Sequence, residues 1–318
     1  MNLEVKYYNG SILENRNYIM SRAAFIKHLG IAGQRYAPST KKLIRTMGMF
    51  LHYSPFMKIH DFNNDHFSNL SPSFYDPTEK AHFSNLAGKA IADFLSKKIY
   101  KSKFTVNYEA AMKMYNKNFS FKIKRPDLIA FTSDNRTFAI ESKGFTQSSS
   151  RNIDKHMDKH KKQSQSGPLP VDFSVASVSY NLYNKAMCNF YDPENEKIKY
   201  DENLVKSLTK EYYSGLNSFI QLTNIYNREH YREHLDIEIC GEKFYKIDLF
   251  KLCGFDEFCR FYKCLNRVFL ILPLNIEEYA ENGISKNVEP FLVKENEYEF
   301  GDDFYIDNDR IGILIERC

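Results

Sequence analysis

The segments KRPDLIAF (residues 124–131) and TFAIESKG (residues 137–144) decide how this 318-residue chain folds. Both are apolar runs interrupted by a few charged residues, and the turn-forming sequence Ser-Asp-Asn lies between them. This pattern predicts two antiparallel strands joined by a hairpin. Because side chains alternate faces along a strand, Glu141 and Lys143 should project from one side of the sheet. The hairpin should bring Asp127 beside them.

These residue types favour a metal-dependent reaction. The carboxylates of Asp127 and Glu141 and the backbone carbonyl of Ser142 offer the hard oxygen ligands that Mg²⁺ or Mn²⁺ prefers. A divalent cation can activate water, stabilise charge at a phosphoryl group and help the leaving oxygen, as phosphodiester hydrolysis requires. Lys143 would orient the attacking water. The neighbouring carboxylates would keep Lys143 protonated unless desolvation or the metal offsets their effect.

The hairpin lies within a regular order of predicted elements. Apolar residues recur at helical spacing from Thr78 to Ile99, which predicts a helix with one buried face. The pattern after it predicts three strands, an exposed Lys-rich helix and two more strands, at residues 104–115, 119–131, 137–143, 148–165, 173–182 and 186–191. The predicted order is therefore helix, three strands, helix, strands.

Pro126-Asp127 followed by Glu141-Ser142-Lys143 resembles the PD-(D/E)xK, or restriction-endonuclease-like, nuclease superfamily, over residues 78–191. The resemblance implies an α/β fold with a mixed central sheet flanked by helices in the order α-β-β-β-α-β. It also implies that Asp127 and Glu141 bind the metal and that Lys143 is the catalytic lysine. Another Glu-x-Lys triplet, Glu4-Val-Lys6, has no Pro-Asp before it.

Many members of this superfamily carry a further acidic residue on the helix that precedes the strands. Glu79, near the start of the predicted helix, is the candidate for this additional metal ligand. A glutamate at that position also interacts favourably with the helix dipole without any catalytic role. Asp93 and Glu109 are the competing candidates.

Charge is divided unequally along the chain. The net charge of the whole chain is +4. Residues 1–166 hold 27 Lys/Arg and 13 Asp/Glu, a net charge of +14. Residues 167–318 hold 17 Lys/Arg and 27 Asp/Glu, a net charge of −10. A basic half suits a polyanionic partner such as DNA or RNA, because phosphate neutralisation supplies most sequence-independent affinity. Mutual attraction between the two halves is the alternative interpretation.

Two groups of lysines are candidates for contact with a nucleic-acid backbone. One precedes the predicted strands at Lys97, Lys98, Lys101 and Lys103. The other follows the active strand at Lys155, Lys159, Lys161 and Lys162. The second group is favoured because it follows the metal-binding strand directly, and solvated lysines are the alternative. His156 and His160, one helical turn apart in the same segment, are interpreted as exposed helix residues, and zinc ligands are the less favoured alternative.

The chain divides into three predicted regions. Residues 1–75 form a helical region with helices at Asn17–Leu29 and from Ser39 toward Leu51, which fits either a helix-turn-helix DNA reader or a simple packing unit. Residues 76–200 form the nuclease core. Residues 201–318 form an acidic α+β extension packed on the core, and its tail from Glu295 to Asp309 should be solvated or docked against something basic. The extension's predicted elements are two helices, at 204–226 and 255–265, and two strands, at 267–274 and 309–315.

Composition supports a soluble globular protein. Hydrophobic residues make up 43% and charged residues 26% of the chain, which excludes a disordered protein. The N-terminus lacks the apolar core of a signal peptide and no apolar run is long enough for a membrane span, so we expect a cytoplasmic protein without a membrane partner. The six cysteines are scattered, and reduced thiols are expected.

Two functions of different classes follow from these observations. The leading hypothesis is an endonuclease, dependent on Mg²⁺ or Mn²⁺, that acts on DNA in restriction or anti-phage defence, a setting that rests on family analogy alone. The other is a nucleic-acid-binding or assembly subunit that is inactive alone or activated by a partner protein, such as an ATPase. A homodimer is a candidate assembly because duplex cleavage requires two cuts.

Overall fold

We analysed the chain in a computed structural model. The structure describes residues 1–10, 12–33, 48–49, 52–57, 65–69, 76–115, 124–132, 136–147, 150–192, 202–226, 236–252, 267–283 and 301–316.

A mixed sheet of seven strands forms the centre of the described structure. In chain order the strands are β1 Asn2–Asn9, β2 Ile12–Ile19, β3 Ser102–Asn107, β4 Leu128–Thr132, β5 Thr137–Gly144, β6 Phe173–Tyr180 and β7 Met187–Asp192. Their spatial order is β2-β1-β7-β6-β5-β4-β3. The pairs β1/β7 and β5/β6 are parallel, and the other neighbouring pairs are antiparallel. The expected mixed α/β sheet flanked by helices is therefore present.

Seven α-helices are found among the described residues. They are α1 Arg22–Ile31, α2 Pro77–Tyr100, α3 Tyr108–Met114, α4 Ser150–Ser164, α5 Glu202–Tyr226, α6 Leu249–Leu252 and α7 Ile276–Asn282. A short 3-10 helix spans Ser54–Met57. The long helix α2 confirms the predicted helix. It begins where the carboxylate of Asp76 accepts a hydrogen bond from Thr78 N at 2.6 Å, with Pro77 in the first turn, both common features of helix starts.

The first twenty residues differ from the prediction. The predicted helical region instead opens with the hairpin β1–β2, and α1 begins only at Arg22, where Ser21 provides the cap. Strand β1 joins the central sheet by pairing with β7, far along the chain. Leu3, Val5 and Tyr7 alternate with less buried residues and all face the core. This alternation of apolar residues in the sequence is the strand signal that the helical interpretation missed. The second predicted helix lies almost wholly outside the described residues, so the helix-turn-helix remains a prediction.

The three-strand meander is present with one correction. The predicted strand at residues 104–115 ends at Asn107, whose side chain accepts a hydrogen bond from Ala110 N at 3.2 Å and so caps α3. The next predicted strand, 119–131, is described from residue 124 onward and forms β4 at Leu128–Thr132. The strand predicted at 137–143 is β5. The order α-β-β-β-α-β is thus observed, with α3 inserted between the first two strands.

A second, antiparallel sheet forms in the C-terminal part. Its strands are β8 Asp236–Ile239, β9 Glu242–Asp248, β10 Arg267–Pro273, β11 Phe304–Ile306 and β12 Gly312–Glu316, in the order β11-β12-β10-β9-β8. The helix predicted at 204–226 and the strand predicted at 267–274 are confirmed, whereas the strand predicted from 309 begins at Gly312. Tyr212 of α5 stacks on Phe104 of the central sheet with ring centroids 5.1 Å apart. The C-terminal elements therefore share one apolar core with the central sheet.

A buried ion cluster joins the two ends of the chain. Lys27 of α1 lies 2.5 Å from Asp309 and 2.6 Å from Asp307, and Lys97 of α2 lies 2.5 Å and 3.0 Å from the same two carboxylates. Tyr212 donates a further hydrogen bond to Asp309 at 2.7 Å. The end of the acidic tail is therefore docked against basic residues, one of the two expected outcomes. Lys97, predicted to flank a nucleic-acid groove, is instead almost fully buried.

Helix α2 crosses β5 at two facing glycines. A Cβ atom on Gly144 would lie 1.8 Å from the carbonyl oxygen of Ser84, and one on Gly88 would lie 2.5 Å from the carbonyl oxygen of Lys143. No side chain larger than hydrogen fits there without movement of the backbone. The crossing holds the helix directly behind the Lys143 peptide.

We expect Gly144→Ala to lower the free energy of unfolding by about 3 kcal/mol, the upper end of overpacking costs, because the clash is with backbone atoms. Urea unfolding followed by circular dichroism measures the change. The matched control is Gly301→Ala, since a Cβ atom on Gly301 meets no atom within 4 Å. Equal stability of the two variants would contradict the close crossing.

The helices and cysteines of the described residues bear on two predictions made from the composition. Among the residues that the structure describes, no helix is both long enough and apolar enough to span a membrane. Cys188 and Cys240 are free thiols, and the other four cysteines lie outside the described residues, so the expected reduced state remains a prediction for the chain.

Candidate active site

Hydrogen bonds connect Asp127 to β5. Its amide donates to the carbonyl of Ile140 at 3.0 Å, and its own carbonyl accepts from the amide of Tyr108 at 3.1 Å. Its Oδ2 atom accepts hydrogen bonds from Ser142 N at 3.0 Å and from Ser142 Oγ at 2.8 Å. The hairpin therefore fixes the Asp127 carboxylate beside the Glu-Ser-Lys triplet, as the sequence predicted.

Glu141 is completely buried between two basic groups. Its Oε1 atom lies 3.2 Å from Lys143 Nζ and 3.3 Å from His160 Nδ1. Neither contact has hydrogen-bond geometry, and both carboxylate oxygens lack a hydrogen-bond partner. Burial raises the pKa of Glu141, as does the charge of Asp127, and His160 and Lys143 oppose this shift only in part. Burial of a carboxylate is costly unless it is paired, and Lys143 and His160 are the groups that face it.

Lys143 remains accessible to a ligand while its charge is maintained. About one third of its side chain, 33%, is exposed. Burial disfavours the charged ammonium group, but the negative charges of Asp127 and Glu141 outweigh this effect and raise the pKa of Lys143 above its ordinary value. The lysine is therefore protonated near neutral pH and can donate hydrogen bonds to a bound anion or water.

His160 is the residue that the sequence interpretation misjudged. It was interpreted as an exposed helix residue, yet only 4% of it is accessible. The buried positions of α4 follow a helical spacing at Ile153, Met157, His160 and Ser164, so His160 lies on the face that packs against the sheet. This spacing was the available signal. The other histidine, His156, is partly exposed and stacks on His160 with centroids 6.0 Å apart.

The acidic candidates on the preceding helices do not join the Glu141 contact. Glu79 is 44% exposed and pairs with His52 at 3.0 Å. Asp93 is buried and lies 2.7 Å from His28 Nδ1. Glu109 accepts a hydrogen bond from Arg125 Nε at 2.9 Å. Glu79 and Asp93 thus have partners elsewhere in the fold, whereas the partner of Glu109 belongs to the segment that leads into Asp127.

A divalent cation would find few protein ligands at this site. Within the described part of the chain, no group of three or more His, Cys, Asp or Glu side chains is placed to share one metal ion. The carboxylate of Glu141, which faces Lys143 and His160, and that of Asp127 nevertheless offer the oxygen atoms that hard cations prefer. The backbone carbonyl of Ser142 is the remaining oxygen named by the sequence. A cation held there would need water or substrate phosphates to complete its coordination.

A basic cleft lies between α4 and the segment that leads into Asp127. Its volume is about 530 Å³, and it is lined by Lys124, Lys155, Asp158, Lys159, Lys162, Gln163 and Ser166. Gln163 donates to the carbonyl of Arg125 at 3.0 Å, which connects α4 to the Pro-Asp segment. Three of the four lysines predicted on this helix therefore share one cleft. The fourth, Lys161, turns away and donates to the hydroxyl of Tyr191 at 2.7 Å.

Comparison of the chain with models of protein families, with curated proteins and with solved structures finds no match.

Proposed function

We propose that the chain is an endonuclease, dependent on Mg²⁺ or Mn²⁺, that hydrolyses phosphodiester bonds of DNA with a PD-(D/E)xK, or restriction-endonuclease-like, core. The observation that carries the proposal is the pairing of Glu141 with Lys143, 3.2 Å apart on β5, beside the Asp127 carboxylate, which Ser142 holds by two hydrogen bonds. The order α-β-β-β-α-β around this hairpin and the parallel pairing of β5 with β6 support the same assignment. A role in restriction or anti-phage defence rests on analogy with the superfamily.

The proposed mechanism gives each residue a separate role. Asp127 and Glu141, with the Ser142 carbonyl, would hold the cation, which supplies an activated water and charge stabilisation at phosphorus when bound. Lys143 donates hydrogen bonds to the attacking water or to a phosphate oxygen, because its side chain is charged and partly exposed. Ser142 keeps the Asp127 carboxylate oriented through two hydrogen bonds to one of its oxygens. The substrate backbone would lie along the lysine cleft of α4.

A nucleic-acid-binding or assembly subunit with the nuclease fold, inactive alone or activated by a partner protein such as an ATPase, is the second candidate. The observation that favours it is that the described residues offer no three-ligand metal group. Substrate phosphates complete many magnesium sites that have only one or two protein carboxylates. The two candidates therefore differ in whether DNA alone suffices for activity.

A cleavage assay separates these candidates. Purified wild-type protein, Asp127→Ala and Glu141→Gln would be incubated with supercoiled plasmid, linear duplex, single-stranded DNA and RNA, in Mg²⁺, Mn²⁺ or EDTA. The proposal predicts metal-dependent cutting by the wild type that both variants lose. Binding of DNA without cutting would support the subunit role, and equal cutting by all three proteins would reveal a different site or a contaminating nuclease.

The lysine cleft predicts the salt dependence of DNA binding. We expect the triple variant Lys155→Ala, Lys159→Ala, Lys162→Ala to reduce the slope of log Kd against log salt concentration by about 2–3, since each phosphate contact contributes about 0.9. Fluorescence anisotropy of a labelled duplex across a salt series measures the slope. Lys161→Ala is the matched control, because Lys161 lies on the same helix but contacts Tyr191. The same slope for the wild type and the triple variant would exclude this cleft as the DNA-binding surface.

A further inference from the structure

We propose that two copies of the chain associate through β2, so that their central sheets join into one continuous sheet. The two β2 strands run antiparallel about a two-fold axis that passes between the Asn15 residues of the two copies. This inference goes beyond the proposed nuclease function, because it concerns assembly and rests on the first hairpin alone.

Strand β2 is an exposed, apolar edge of the central sheet. In the sheet order it has β1 as a neighbour on one side and no described strand on the other. Among the described residues, the large hydrophobic side chains that remain exposed all belong to this strand: Ile12, Leu13 and Ile19, at 59%, 50% and 80%. An exposed apolar edge strand is a template for pairing with another chain.

Backbone directions determine which residues of β2 can bind a second strand. Met20 N donates to the Met1 carbonyl at 2.9 Å, and the Met1 ammonium donates to the Met20 carbonyl at 3.0 Å. From this pair the register between β1 and β2 continues without a shift. Bonded and non-bonded pairs alternate in an antiparallel ladder. The even-numbered residues of β2 therefore bond to β1, and the odd-numbered residues from Leu13 to Ile19 direct their N–H and C=O groups toward the free edge.

This alternation limits how two β2 strands can pair about a two-fold axis. Odd-numbered residues must lie opposite odd-numbered residues, and the two such registers with the longest overlap are centred on Asn15 and on Arg16. The register centred on Arg16 places two arginines directly opposite each other, which is destabilising. The register centred on Asn15 places Glu14 of each copy opposite Arg16 of the other. Charge complementarity therefore selects the second copy as the occupant and Asn15 as the centre.

The side chains on both faces of β2 suit this register. Glu14 and Arg16 already contact each other within the strand, with Arg16 Nε 2.8 Å from Glu14 Oε2, and they are 43% and 35% exposed. Pairing of two copies forms a closed cluster of four alternating charges. On the other face, Leu13 lies diagonal to Ile19 of the second copy, a spacing that long side chains can bridge. Two of the exposed apolar side chains are thereby covered.

Sedimentation velocity of the full-length protein, without DNA or added metal, tests the inference. One strand from each copy forms a small interface, so we expect a reversible dimer with a Kd of about 1–100 µM. Glu14→Arg and Arg16→Glu should each raise the Kd at least about tenfold, because each variant places like charges opposite each other. An equimolar mixture of these two variants should recover the wild-type affinity, because every pair between the unlike copies then joins opposite charges.

Asn15→Pro tests the backbone pairing separately. The Asn15 N–H points away from β1, so proline breaks no bond within the sheet, and edge strands tolerate it there. The substitution removes a donor from the centre of the interface and should abolish the dimer. Glu316→Arg is the matched control, since Glu316 is also 43% exposed and pairs with Lys246 in the second sheet. Circular dichroism checks folding, and the mixture of charge variants tests the proposal even if Asn15→Pro does not fold.

Each outcome either supports the interface or overturns it. A wild type that stays monomeric up to about 100 µM would overturn the proposal. A dimer that Glu14→Arg, Arg16→Glu and Asn15→Pro all leave unchanged would use another surface and would also overturn it. Failure of the mixture to recover the dimer would exclude the register centred on Asn15. The proposed nuclease function is unaffected by these results, because neither DNA nor metal takes part in the measurement.

Discussion

Lys143→Ala is expected to lower metal-dependent DNA cleavage by at least about 100-fold, a typical loss when one charged donor to a transition state is removed. The Lys143 ammonium lies 3.2 Å from the buried carboxylate of Glu141 and has one third of its side chain exposed. It is therefore placed to contact the substrate while its charge is maintained by the two carboxylates. Single-turnover cleavage of a labelled duplex, with enzyme in excess, measures the chemical step separately from binding.

DNA binding should change little in the same variant. The basic cleft formed by Lys155, Lys159 and Lys162 is intact in Lys143→Ala, so the Kd for duplex DNA should remain within about threefold of the wild type, as expected when only a transition-state contact is lost. Lys246→Ala serves as the control, because Lys246 lies in the second sheet and pairs with Glu316. Full cleavage activity in Lys143→Ala would exclude this lysine from the mechanism.

Asp309→Asn is expected to lower the free energy of unfolding by about 3–5 kcal/mol, the usual cost of removing one partner of a buried ion pair. The Asp309 carboxylate is fully buried and contacts both Lys27 and Lys97 at 2.5 Å. Asp307 is the second carboxylate that contacts the same two lysines. Its pKa lies well below the ordinary value, because the attraction of the lysines outweighs the effect of burial. Removal of one charge would leave two buried ammonium groups with a single full carboxylate partner.

Urea unfolding monitored by circular dichroism and tyrosine fluorescence measures this loss. Asp303→Asn is the matched control: Asp303 pairs with Arg22 at 2.9 Å but is 42% exposed, and exposed pairs contribute about 1 kcal/mol or less. Both aspartates lie in the same C-terminal stretch. The difference between the two losses of unfolding free energy therefore measures the effect of burial and of the contacts within the ion cluster. Similar losses in the two variants would mean that the cluster does not hold the chain ends together.

Much of the core was predictable because its signals are local. The apolar repeat of α2 predicted a helix that the structure confirms between Pro77 and Tyr100. Alternation along β5 placed Glu141 and Lys143 on one side, and they lie 3.2 Å apart. Asp127 reaches the same strand through its bonds to Ser142. Each of these features depends on residues within a few turns or one hairpin of each other.

Features that depend on distant partners were missed. Strand β1 pairs in parallel with β7, which lies more than 170 residues later, and only this pairing makes the first residues part of the central sheet. Strand β3 ends at Asn107 because that side chain caps the next helix, a choice that the apolar pattern does not contain. Lys97 was interpreted as exposed, but its partners Asp307 and Asp309 are supplied by the opposite end of the chain.

The local order of residues was thus sufficient to determine the hairpin and the long helix before it. It also determined that Glu141 and Lys143 lie on one side of β5, because backbone geometry fixes the direction of side chains over short distances. The tertiary structure alone decided that His160 faces Glu141, that α2 and β5 meet at two glycines, and that Asp307 and Asp309 at the end of the acidic tail are buried. Burial and charge pairing depend on which distant segments pack together. Packing therefore determined the surroundings of the candidate site, whereas local pattern determined its central residues.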